Sequence, residues 1–316
     1  MKSNIWNGLL TGSCLLGAII SSTAGPLQRS HVIKDPVWVL HLDCDALRPT
    51  VVGKYVLGEM EKPDAEKKVA EFQAIFGIDP RTALHGVTLY GASVSQEDAV
   101  LLLYADFDAA RLTSLAEGAK DHKSTTHAKH VIHGWLDEKK PGKDGVKPRT
   151  YAAIHGGKLV IFGQKESRIA QALDVLDRTK PNLTASAQFG SFGDGGENAI
   201  IVGAARKLDL PASDPNAAVL KQSKMASLSI GESQGQVQGT LKLEADSEEV
   251  AKQMESIGRG LVGLLALQKD KPDNTKLAKA LSLQQEGARI TVKLSLPAGD
   301  MIGMMKAGAA KKAAKE

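Results

Sequence analysis

The stretch Thr150-Tyr151-Ala152-Ala153-Ile154-His155-Gly156-Gly157-Lys158-Leu159-Val160-Ile161-Phe162-Gly163 reads as two apolar strands joined by a two-residue turn. Consecutive glycines accept positive φ at both central positions, which is what the tight turn of an antiparallel hairpin requires. A helix is expected next, over about Glu166–Leu176, with Ile169, Leu173 and Leu176 on one apolar stripe. The same order recurs near the end of the chain. Strands over 281–285 and 289–296 flank Glu286-Gly287-Ala288, and Pro297-Ala298-Gly299-Asp300 leads into a final helix carrying Met301, Met304 and Met305. Hairpins interleaved with helices predict an α+β fold with antiparallel sheets rather than a doubly wound parallel sheet.

Working outward, each half follows one grammar of strand, helix, two strands, helix, hairpin and helix. The first half opens with a strand over 37–47. A helix over Pro63–Phe76 follows, started by Pro63 and stopped by Gly77. Strands over 86–93 and 99–106, a short helix with Leu112 and Leu115, and a strand over 130–137 lead to the hairpin. The second half opens at 199–203, with strands over 226–230 and 237–245. Asp246 with Glu249 then begins a long helix, on which Val250, Met254, Ile257, Leu261 and Leu265 mark the buried side. The expected organisation is a signal peptide over 1–24, a first α+β domain over 25–181 and a Gly-rich linker over 182–197. A second, similar domain over 198–305 and a disordered Lys/Ala tail over 306–316 complete it. Internal duplication is the simplest source of such a repeat.

Lys2, an apolar run from Leu9 to Ile20 and the small residues Ser22 and Ala24 form an export signal, with cleavage expected before Gly25. The run is shorter than the ~20 residues that span a bilayer, and no later run approaches that length, so no transmembrane segment is expected in the mature chain. Removing Lys2 takes Lys+Arg from 40 to 39 against 36 Asp+Glu, a net charge of +3. So mild and scattered a charge argues against nucleic acid as a partner. Cys44 alone survives cleavage, so no intramolecular disulfide forms. The protein is expected to be exported, periplasmic or extracellular.

The segment Glu71-Phe72-Gln73-Ala74-Ile75-Phe76-Gly77-Ile78-Asp79-Pro80, with Val87-Thr88-Leu89-Tyr90-Gly91, resembles a recurring segment of uncharacterised exported bacterial proteins of planctomycete and verrucomicrobial type. Gly287-Ala288-Arg289-Ile290-Thr291-Val292 after a long helix is similar to the end of the same group. The resemblance implies lineage and compartment and carries no activity.

Motifs that bear chemistry are sparse. The glycines of Gly190-Ser191-Phe192-Gly193-Asp194-Gly195-Gly196 precede a strand, whereas a phosphate loop must follow one and open a helix. Cys44 lies between Asp43 and Asp45, a negative setting that raises a thiol pKa, and the two aspartates read as loop caps. Five of the eight histidines fall between His122 and His155. On one continuous strand, His127 and His133 share a face ~20 Å apart and His130 points away. The pair expected to meet is His133 with His155, across a hairpin closed by the loop 139–148, and no third ligand is evident. No catalytic, cofactor or metal residues are therefore assigned. The expected role is a non-catalytic binding or structural module of the cell envelope. The alternative is a hydrolase-type enzyme with its site between the two domains, which leaves no local motif.

Overall fold

Strand β1 (Trp38–Asp43) organises the molecule, because its two edges pair with different halves of the chain. The computed structural model describes residues 25–138, 147–190, 192, 198–206, 223–268 and 270–313. The expected signal peptide, residues 1–24, lies outside the described residues, as does most of the expected loop 139–148. After β1 come α1 (Cys44–Leu47), α2 (Val51–Met60), α3 (Pro63–Phe76), α4 (Pro80–Ala83), β2 (Leu84–Gly91) and β3 (Ala99–Ala105). Then follow α5 (Ala109–Glu117), β4 (Lys123–His127), β5 (His130–Leu136), β6 (Arg149–His155), β7 (Leu159–Gly163) and α6 (Glu166–Leu176). The second half comprises β8 (Ala199–Arg206), β9 (Ser223–Ser233), β10 (Gln236–Ala245), α7 (Glu248–Leu267), α8 (Pro272–Ala280), β11 (Leu281–Glu286), β12 (Arg289–Pro297) and α9 (Ala298–Ala313).

The fold is α+β, and the twelve strands among the described residues form one antiparallel sheet in the order β11-β12-β10-β9-β8-β1-β2-β3-β7-β6-β5-β4. The halves meet strand to strand, with Trp38 opposite Ala205 and Leu42 opposite Ile201. Outward from that seam, β1-β2-β3-β7-β6 and β8-β9-β10-β12-β11 run in the same order, and β5-β4 is an extra hairpin on the first half. Both faces of the first half are covered, which is why Val100-Leu101-Leu102-Leu103-Tyr104 is continuously apolar. Leu102 and Ile161 pack against Ile169 and Leu173 of α6, together with Val32, Leu183 and Phe189. On the opposite face Leu103 and Val160 meet Phe72 and Phe76 of α3 and Leu112 of α5. Each such side chain contributes roughly 1.5–3 kcal/mol on full burial.

Several expectations need correction. The first strand ends at Asp43, whose carboxylate accepts a hydrogen bond from Ala46 N at 2.8 Å and starts α1. Ser247, not Asp246, caps α7, accepting from Val250 N at 3.3 Å. Strand β4 and helices α2 and α8 were not legible as elements. The stretch expected to be a Gly-rich linker begins inside the core, since Leu183, Phe189 and Phe192 are buried there. Arg29 fastens it to the N-terminal segment by donating to Phe189 O at 2.7 Å and Gly190 O at 3.0 Å. The expected disordered tail is helical as far as Ala313, because Ala and Lys are good helix formers and nothing before that point breaks the helix. Met301 and Met304 are only half-buried and Met305 is exposed, so that stripe fills less core than its spacing suggests.

Candidate functional site

Helices α3 and α5 lie over strands β5, β6 and β7 and are fastened to each other at their ends. Gly77, at φ +73°, closes α3 with a left-handed cap, and Asp108 starts α5 by accepting from Ala110 N at 2.9 Å. Arg111 then ties the two helices together, donating to Ala74 O at 2.7 Å. Phe72 stacks on Phe76 at 4.4 Å, and Phe76 meets Phe162 edge-on at 6.2 Å. Between the helices and the sheet is a cavity of about 280 Å³, lined by Phe76, Leu112, Leu115, Trp135, Ile154 and Phe162. Ile75 and Leu115 also border it and are about half exposed, so the apolar wall continues to solvent. His133 is the one titratable side chain among the described residues of this wall. Its ring stacks on His122 at 5.3 Å with Nδ1 3.1 Å from His122 Nε2. Burial, aided by the His122 charge, lowers the His133 pKa, so the wall is uncharged at neutral pH.

The other face of the same strands carries a second cluster. Ala128 takes φ +51°, and the two-residue turn Ala128-Lys129 folds β4 back on β5, placing His127 opposite His130. In the β5–β6 pairing His133 faces Ala152, an offset of three residues from the expected partner His155. His155 therefore meets His130 instead, their ring centroids 5.2 Å apart. Asp177, directly after α6, accepts from His130 Nε2 at 2.9 Å through Oδ2 and from His155 Nε2 at 3.0 Å through Oδ1. Lys129 Nζ lies 3.2 Å from the same Oδ1. Burial opposes ionisation of Asp177, but the bonds from His130, His155 and Lys129 outweigh it and hold the carboxyl below the usual range. Beside it, His127 donates to Asp174 at 2.7 Å. His31 Nδ1 is 3.1 Å from the Tyr104 hydroxyl. Burial, with the charges of His155 and Arg178, brings the His31 pKa down to about 4.

No protein-family model matches this chain, and no curated protein matches it. Solved structures of TP0453 are similar to it. Crystal form III gives a TM-score of 0.50 at 10% identity, covering 90% of this chain and 99% of that one. Crystal form I gives a TM-score of 0.47 at 10% identity, covering 90% and 98%. At such identity the likeness concerns the fold alone.

The remaining sequence candidates are structural. Burial, with the Asp43 and Asp45 charges and against that of Arg48, pushes the Cys44 thiol up to about 11, so it is not a ready nucleophile. Asp45 pairs with Arg48 and His85, and Asp106 takes the other nitrogen of His85 at 2.9 Å. At the seam of the two halves a broad depression of about 690 Å³ is lined by Val37, Ser93, Gln188, Arg206, Lys224 and Glu244, among others. It lies away from His133 and His155, which are themselves on opposite faces of the sheet. The apolar cavity was missed because its walls come from α3, α5 and three strands, each of which reads in isolation as ordinary core.

Proposed function

We propose that this chain is an exported, non-catalytic binding module of the bacterial cell envelope, built by internal duplication, that holds one small apolar molecule between α3, α5 and the sheet. The observation that carries the reading is the apolar cavity of about 280 Å³, close to the lower end of ordinary ligand pockets. Its lining offers burial and one uncharged, already partnered imidazole, which suits retention of a ligand better than bond cleavage. The seam depression, where the hydrolase alternative would act, is bordered by Arg206, Lys224 and Glu244 without a histidine among its lining residues. Export rests on Lys2, the Leu9 to Ile20 run and Ser22-x-Ala24. Duplication rests on the shared strand order on either side of the β1–β8 seam.

Trp135 reports directly on the cavity. Titration with the neutral apolar fluorophore N-phenyl-1-naphthylamine is expected to give saturable 1:1 binding with energy transfer from Trp135. Ala116, on the α5 wall, is replaced by Phe to fill the space. Ala116→Phe is expected to weaken binding about tenfold or more, the scale of ~1.4 kcal/mol of lost complementarity, while far-ultraviolet circular dichroism is unchanged. Equal binding by both proteins, or no saturable binding by either, contradicts the reading.

A further inference from the structure

We propose that His130, His155 and Asp177 form a binding site for a divalent transition-metal ion of the zinc type. Two tight turns build the site. Ala128-Lys129 places His130 at the start of β5, and Gly156-Gly157 places His155 at the end of β6, so both rings face the C-terminal end of α6. Asp177 is the residue after that helix, at the negative end of the helix dipole, which also favours a cation. The three donor atoms lie within 4.8 Å of one another, and all three residues are half-buried. Ligands about 2.0–2.1 Å from a tetrahedral zinc stand roughly 3.3 Å apart. His130 Nε2 stands 2.9 Å from Asp177 Oδ2 and His155 Nε2 stands 3.0 Å from Asp177 Oδ1, so each imidazole is already near that spacing from one of the two carboxylate oxygens. Side-chain rotation has to close the remaining separation, which is at most 4.8 Å between any two donor atoms.

On binding, each neutral imidazole ligates through Nε2 and carries its proton on Nδ1, while Asp177 exchanges its two N–H donors for the ion. Lys129 lies on the exposed side of Asp177 and swings into solvent, its side chain being 72% exposed. No fourth protein donor joins the group among the described residues. Three protein ligands with an open position, two of them imidazole and one carboxylate, is a donor set that suits zinc and its neighbours over calcium or magnesium. The site is on the face of the sheet opposite the apolar cavity and does not depend on it.

The test is calorimetric titration of the untagged protein with zinc chloride at neutral pH. One site per chain is expected, with a Kd on the order of 1 µM or tighter, a modest value for zinc bound by a preformed set of protein ligands. His130→Ala and His155→Ala are each expected to weaken it by roughly 100-fold, and Asp177→Asn by at least 10-fold. His130→Gln, which keeps a polar side chain of similar length, guards against loss of fold and is expected to behave as His130→Ala with an unchanged melting curve. His133→Ala is expected to leave the Kd within about twofold, since that ring lies on the other face. Absence of saturable binding by the parent protein overturns the assignment. So does binding that survives both His130→Ala and His155→Ala, or that is lost in His133→Ala.

Discussion

His41 lies at the middle of β1, where the two halves meet, and is 98% shielded from solvent, with Nδ1 2.8 Å from the Thr88 hydroxyl. Burial pushes its pKa down to about 4. A histidine whose folded pKa is below its unfolded value of ~6.5 takes up a proton more readily when the chain unfolds. The stability this group contributes is therefore present above about pH 6.5 and is lost as pH falls toward 4. Between about pH 7.5 and 5 the loss from His41 alone is on the order of 2 kcal/mol. His85 acts in the opposite sense. Burial lowers its pKa, but bonds to Asp106 and Asp45 raise it further, so its contribution is present below ~6.5 and fades as pH rises. Urea unfolding at the two pH values is expected to show His41→Leu losing less stability than the parent on acidification. Equal losses would assign the pH dependence elsewhere. The residue scale is also where sequence reading was weakest. The turn Ala128-Lys129 contains neither Gly nor Asn, so nothing marks the reversal, and a continuous strand separates histidines that the hairpin brings together.

At the scale of elements, strands and helices with their own start and stop signals were legible, whereas those completed by distant residues were not. Helix α3 has Pro63 and Gly77, and the β6–β7 hairpin has its glycine pair, so both were read directly. Helix α2 has two glycines and three valines in ten residues, a poor local helix former. Gly53 is required there, because a Cβ would stand 1.8 Å from Leu47 O. The first turn of α2 is completed by Glu232 of β9, whose carboxylate accepts from Val51 N at 2.7 Å and Val52 N at 3.0 Å. A buried carboxylate on a helix N-terminus satisfies orphan donors and complements the helix dipole. Glu232→Ala is expected to cost about 1–3 kcal/mol in urea unfolding, and Glu232→Gln, which keeps one acceptor, less. A neutral result would show that water replaces the carboxylate without penalty. Helix α7 illustrates the opposite misreading. Ala251 and Met254 are buried, and Gly258 meets Leu283 of the edge strand β11, but Ile257, Leu261, Leu264 and Leu267 are exposed. The stripe has helical spacing throughout, and spacing alone does not say where the sheet beneath it ends.

At the scale of the molecule, antiparallel pairing and the repeated strand order were legible from hairpin placement, but the joining of the halves was not. The β1–β8 seam pairs residues more than 150 positions apart, and neither strand carries a mark of its partner. The outer edges follow the usual logic of sheet ends. Strand β4, Lys123-Ser124-Thr125-Thr126-His127, is polar and largely exposed, and α7 packs against the other edge strand, β11. This continuous platform carries β5, β6 and β7, which with α3 and α5 line the cavity proposed to hold an apolar ligand. Native mass spectrometry of the protein recovered from the envelope fraction tests that assignment most directly. The expected spectrum is a mature chain beginning at Gly25 that carries one organic-extractable apolar molecule, with Ala116→Phe recovered empty. A ligand-free parent protein that also takes up none on exposure to an envelope lipid extract, or a ligand retained equally by Ala116→Phe, would contradict it.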